Sequence, residues 1–198
     1  LSVLPRPRTA AARALAAPAT VAAIVVAGLL LSACATMPPE RCAEVSWQQQ
    51  GIEDGRAGFG PTRLARHREA CAGIGVVPDQ AAWEQGHALG LLDYCQLPNA
   101  LQQGLARHAY EGVCADPRFR QLYGAARRLA DERQKVVDLD HQIDWREREL
   151  LTNPKLTEQR RAELTAEARS LHRERERAID DRADATRALE RVRDQVGL

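Results

Sequence analysis

Residues 122–150 read LYGAARRLADERQKVVDLDHQIDWREREL, which places Leu122, Leu129, Val136, Ile143 and Leu150 at seven-residue intervals. A second series, Leu164, Leu171, Ala178, Ala185 and Val192, has the same spacing. Seven residues are close to two α-helical turns, so each series lines one face, and charged residues fill the flanks. From about Asp116 onward glycine and proline nearly vanish. The pattern predicts a coiled coil and makes the fold class all-α.

Asn153 and Pro154 separate the two series. A proline inside a helix costs about 3 kcal/mol, yet it suits the first turn of a new helix, where its missing N–H is not needed. Asn153 is expected to cap that helix. The arms are about 35 and 40 residues long, which favours an antiparallel hairpin. One bent rod that oligomerises is the rival, because the heptad phase runs through Thr157 without slipping. In the hairpin, Ile143 is expected to meet Leu164, Val136 to meet Leu171, and Leu139 to meet Ala168. Farther from the turn Leu129 meets Ala178, Leu122 meets Ala185, and Glu132 faces Arg175. Arg146 opposite Arg161 is unfavourable but lies near the tip. Ala178, Arg182 and Ala185 leave the second arm's seam thin, a surface suited to a third helix from upstream or from a partner. Trp145 stands on a polar flank, where it either covers its own seam or contacts a partner.

Upstream, residues 34–115 form a glycine-punctuated region. Candidate helices run over residues 43–56, 62–73, 79–95 and 99–110, separated by glycine- and proline-containing turns. Asp79 and Asn99 each follow a proline and are candidate N-caps. Gly51 and Gly55, Gly86 and Gly90, and Gly104 recur at helical spacing. Glycine costs about 1 kcal/mol inside a helix, so the repetition points to close helix contacts, with frayed helices as the alternative. Cys42, Cys71, Cys95 and Cys114 make an even set with no zinc-type spacing, which reads as two disulfides with three connectivities open. Antiparallel packing of the first two helices favours Cys42–Cys71 and Cys95–Cys114, although helix ends alone place Cys95 at the far end of the bundle.

The first 33 residues read as a leader. Arg6, Arg8 and Arg13 precede the apolar run of residues 21–31, which ends in Leu31-Ser32-Ala33-Cys34. That string fits a lipobox, with Cys34 as the lipidated residue. An uncleaved membrane span is the alternative, since residues 14–33 approach the ~20 needed to cross a bilayer. Ala35 is not the aspartate that retains lipoproteins at the inner membrane. The expected address is therefore the periplasmic face of the outer membrane, with the chain divided into a 1–33 signal peptide, a 34–115 helical domain and a 116–198 hairpin.

Cys42, Trp47, Gly51, Asp54-Gly55, Gly58, Arg63-Leu64, His67 and Cys71 carry a more specific likeness. It continues through Gly75, Pro78-Asp79, Gly86, Gly90-Leu91, Tyr94-Cys95, Gly104, Tyr110 and Gly112-Val113-Cys114. Over roughly residues 34–125 the sequence resembles domain-of-unknown-function family 2799, a group of uncharacterised bacterial envelope lipoproteins. The resemblance implies an exported lipoprotein with four framework cysteines, and no reaction. Trp83 stands where a tyrosine is expected.

Composition narrows the function classes. Of 198 residues 28% are charged, 44% hydrophobic and only 4% aromatic, with a formal net charge of +1. That balance gives no support to nucleic-acid binding. The five histidines, His67, His87, His108, His141 and His172, are scattered, and no serine-hydrolase, zinc-protease or phosphate-loop motif appears. His67 and His87, inside the family-like region, are the candidates for chemistry. The expected function is a non-catalytic scaffold or interaction role in the cell envelope, without cofactor or metal. Its expected partners are the membrane through the lipid anchor, an envelope protein, and further copies through the coil. The alternative is a small-molecule or envelope-polymer binding module in residues 34–115, with a pocket lined by Trp47, Trp83, Tyr94 and Tyr110.

Overall fold

Serine, aspartate, threonine and proline set where the helices begin. The computed structural model describes residues 36–198, so the leader and Cys34 lie outside the described residues. Among the described residues seven α-helices follow one another: α1 (Pro39–Glu44), α2 (Trp47–Arg56), α3 (Thr62–Cys71), α4 (Gln80–Tyr94), α5 (Leu97–Leu105), α6 (Pro117–Thr152) and α7 (Glu158–Val196). No strand occurs among the described residues. Ser46 accepts a hydrogen bond from the Gln49 amide and starts α2, which divides the expected 43–56 helix into α1 and α2. Asp79 caps α4 through the Ala82 amide. Asn99 is not a cap: α5 begins at Leu97 with Pro98 in its first turn, and the Asn99 side-chain Nδ2 donates to the Tyr94 carbonyl. The same helix stops at Leu105 rather than Tyr110, where Arg107 adopts a left-handed backbone with φ 60°.

Glycine brings α2 and α4 together. A Cβ on Gly51 would lie 2.1 Å from the Trp83 carbonyl oxygen, and one on Gly86 would lie 1.9 Å from that of Gln48. Gly55 and Gly90 meet the opposing backbone in the same way. The repeated glycines therefore mark close contact between backbones, as expected, rather than frayed helices.

Cys42 is bonded to Cys71 and Cys95 to Cys114, with Cα separations of 5.7 and 5.5 Å. The route to the first bridge differs from the expected one. The neighbour of α2 is α4, and it is the separate short helix α1 that carries Cys42 to the end of α3.

The long helices α6 and α7 pack against each other as a hairpin, and each is about 55 Å long at 1.5 Å per residue. Its register is displaced from the expected pairs by about one heptad. Ala178 clusters with Val136 and Leu139 rather than with Leu129. Arg175 pairs with Asp140 rather than Glu132, and Arg146 with Glu167 rather than facing Arg161. The turn explains the shift. Asn153 does not cap a helix beginning at Pro154; its Oδ1 accepts from the Lys155 amide, and Thr157 caps α7 through the Arg160 amide. Beginning at Glu158 instead of Pro154, the second arm loses four residues, and a seam of period seven keeps its apolar residues facing only if the register moves by a whole heptad.

The base of the hairpin is the best-filled part. Phe119, Leu122, Ala126 and Leu129 of α6 join Ala185 and Leu189 of α7, with Tyr94, Ala100 and Cys114 completing the cluster. A third helix does join the hairpin, but on the first arm rather than on the thin seam of the second: α5 packs on α6, with Gly104 against the Tyr123 carbonyl and the Ala126 methyl.

Candidate functional site

Asp54 sits on the buried face of α2 with 2% of its surface exposed. Its Oδ2 accepts hydrogen bonds from Trp83 Nε1 of α4 and His67 Nε2 of α3, both at 2.8 Å. Its Oδ1 accepts from Gln50 at 3.1 Å, while Arg63 Nε stands 3.5 Å away, an ion pair by distance but not an aligned hydrogen bond. The Arg63 guanidinium lies over the Phe59 ring instead. The far nitrogen of His67, Nδ1, is 2.8 Å from the Thr36 hydroxyl. A carboxylate only accepts, so Nε2 of the imidazole carries a proton, and in the neutral ring Nδ1 accepts from Thr36.

Burial alone would raise the Asp54 pKa. The bonds from His67 and Trp83, the charge interaction with His67 and the bond from Gln50 outweigh it, and the carboxyl sits below its ordinary value of 3.8. Hydroxyl, imidazole and carboxylate thus lie in line, an order that serves nucleophilic catalysis elsewhere. Here the imidazole is fully buried. The chain of bonds ties α2, α3, α4 and the segment at Thr36 together, and its geometry is that of a brace.

His87 donates from Nε2 to the Phe59 carbonyl at 2.7 Å and stacks on Trp83 with centroids 4.5 Å apart. A groove of about 420 Å³ between α3 and α4 reaches Trp83 and His87, with Leu64 and Arg68 on its opposite wall. The expected aromatic pocket is not formed. Trp83 is buried against Asp54, Trp47 packs beside the Cys42–Cys71 bridge, and Tyr94 and Tyr110 surround Phe119 at the hairpin base. The two tryptophans adjoin the Asp54–His67 pair and the two tyrosines sit at the hairpin base, so the four rings do not line one pocket, which removes the binding module in that form. His108 bonds Gln103, and His172 pairs with Glu147 on the coil surface.

The hairpin tip is different in kind. Trp145 is 55% exposed and Leu151 86% exposed, both within two turns of the end of α6. Trp145, Arg148, Glu149 and Thr152 line a shallow groove on one helix face, with Asn153 at its end. Trp145 therefore does not cover its own seam; the Arg146 guanidinium lies 5.5 Å from its ring. Among the described residues no helix is long and apolar enough to cross a membrane.

Asp54 entered the sequence reading only as part of the family likeness, not as a site residue, and Thr36 did not enter it. Asp54 carried a signal, since it falls between Gly51 and Gly55 on the face that meets α4, where a carboxylate needs partners. Thr36 carried none.

Residues 46–128 match the model of the family described as "Protein of unknown function (DUF2799)". The match takes in Asp54, His67, Trp83 and the Cys95–Cys114 bridge, and ends in α6 just past the residues that pack on α5. It leaves out Thr36, Cys42 and the hairpin tip. No curated protein and no solved structure matches the chain.

Proposed function

We propose that this chain, whose residues 46–128 carry the DUF2799 pattern, is a lipid-anchored, non-catalytic scaffold that presents the tip of its hairpin to an envelope protein. The observation that carries the reading is the pair of exposed apolar side chains, Trp145 and Leu151, at the end of two arms whose outer faces are mostly arginine, glutamate and aspartate, with Val137 a less exposed apolar residue midway along α6. Exposed tryptophan is rare on a solvated coil and frequent among the residues that dominate protein interfaces. The string ending at Cys34 supports acylation there, and Ala35 supports the periplasmic face of the outer membrane as the address. The buried brace around Asp54 fits a part that holds shape rather than one that turns over substrate.

The test is a photo-reactive residue at position 145 in the full chain, expressed in its own envelope, with the mid-arm position 137 as control. The reading predicts a discrete cross-linked protein at 145 and none at 137. Equal labelling at both sites, or none, contradicts it, and a product that is a second copy of the chain replaces the envelope partner with self-association. Intact-mass measurement of the mature protein beside Cys34→Ala tests the anchor, with an acyl mass expected only when the cysteine is present.

A further inference from the structure

The chain is tied to the folded domain as soon as it enters the described residues. The Thr36 hydroxyl is bonded to His67, and Met37 is buried in a cluster with Cys42 and Cys71. Two peptide links separate Thr36 from Cys34 and span at most about 7 Å. An acyl group on Cys34 would therefore leave almost no slack between the leaflet and the surface around Thr36.

That surface carries an apolar loop. After α3 a short 3-10 turn over Ala72–Ile74 runs into Gly75, whose φ of 70° reverses the chain. Val76 then packs inward on the Met37–Cys42–Cys71 cluster. Its neighbours point the other way: Val77 is 75% exposed and Ile74 48% exposed. We propose that Ile74 and Val77 enter the same leaflet as the acyl chains of Cys34 and make a second, protein-borne contact with the membrane. The inference rests on the acylation proposed above. The charges around the patch make no basic surface, with exposed Arg41, Arg66 and Arg68 on α1 and α3 against Glu40, Glu44, Glu69 and, two residues from Val77, Asp79. The contact is therefore hydrophobic, independent of anionic lipid and insensitive to salt.

The experiment uses the full acylated chain bound to phosphatidylcholine vesicles with brominated acyl chains. Val77→Trp is compared with Val137→Trp on the hairpin, each after subtraction of the parent's own fluorescence. The inference predicts loss of the added emission at position 77, retention at position 137, and the same loss in high salt. Amide exchange over residues 73–77 should slow on vesicle binding in the unsubstituted protein. An acylated protein that floats with vesicles but shows neither effect overturns the contact and leaves the anchor standing. Quenching confined to anionic vesicles at low salt also overturns it. A mature chain with no acyl mass and no flotation overturns both.

Discussion

Asp54 is the residue on which the amino-terminal half converges, because one carboxylate gathers donors from α2, α3 and α4. Removing one member of a buried, hydrogen-bonded charged group strands the others, at about 3–5 kcal/mol. Asp54→Ala should lower the unfolding free energy by that amount in urea titration at neutral pH. Because the carboxyl's folded pKa lies below its unfolded value near 3.8, its stabilisation is complete above that value. It is lost as pH falls through the lower folded pKa. Denaturation between about pH 6 and pH 2 should show this acid loss, and Asp54→Asn should flatten it. Little of the brace was legible beforehand. His67 and Trp83 attracted attention as residue types, but the partner that unites them is a carboxylate, and its burial depends on which face of α2 meets α4.

Among the elements, the α2–α4 pair is the least forgiving. A methyl group at Gly51 or Gly86 meets opposing carbonyl oxygen rather than a side chain that can swing away. Gly51→Ala and Gly86→Ala should each destabilise by about 3 kcal/mol or more, at the upper end of overpacking, and thermal melts would register the loss. Control substitution at Gly124, which has nothing within 4 Å, should be neutral or stabilising. Reduction of the Cys95–Cys114 bridge releases a loop of 19 residues at the hairpin base, and Cys95→Ser with Cys114→Ser should cost about 3 kcal/mol. The glycine spacing and the paired cysteines could be read in advance because each encodes a local requirement. Helix boundaries at Ser46 and Asn99 could not, since a cap and a first-turn proline compete for the same few residues.

For the whole molecule, the heptads of α6 and α7 predicted two arms folded together, and the structure has them. They could not predict the register. A pattern of period seven is satisfied by any whole-heptad displacement, and the choice falls to the turn, where Thr157 rather than Asn153 starts the second arm. That displacement places Arg175 beside Asp140 and leaves Trp145 and Leu151 at the free end. The scaffold reading depends on this folding back. The chain contains only two lysines, Lys135 and Lys155, and Lys135 Nζ lies 3.8 Å from the Asp181 carboxylate across the arms. Zero-length carbodiimide coupling followed by peptide mapping therefore reads the hairpin directly. The account predicts an isopeptide bond between residues 135 and 181 within a single chain. A bond from Lys135 to Glu167, which the structure places beside Arg146, or one formed only between chains, would contradict it.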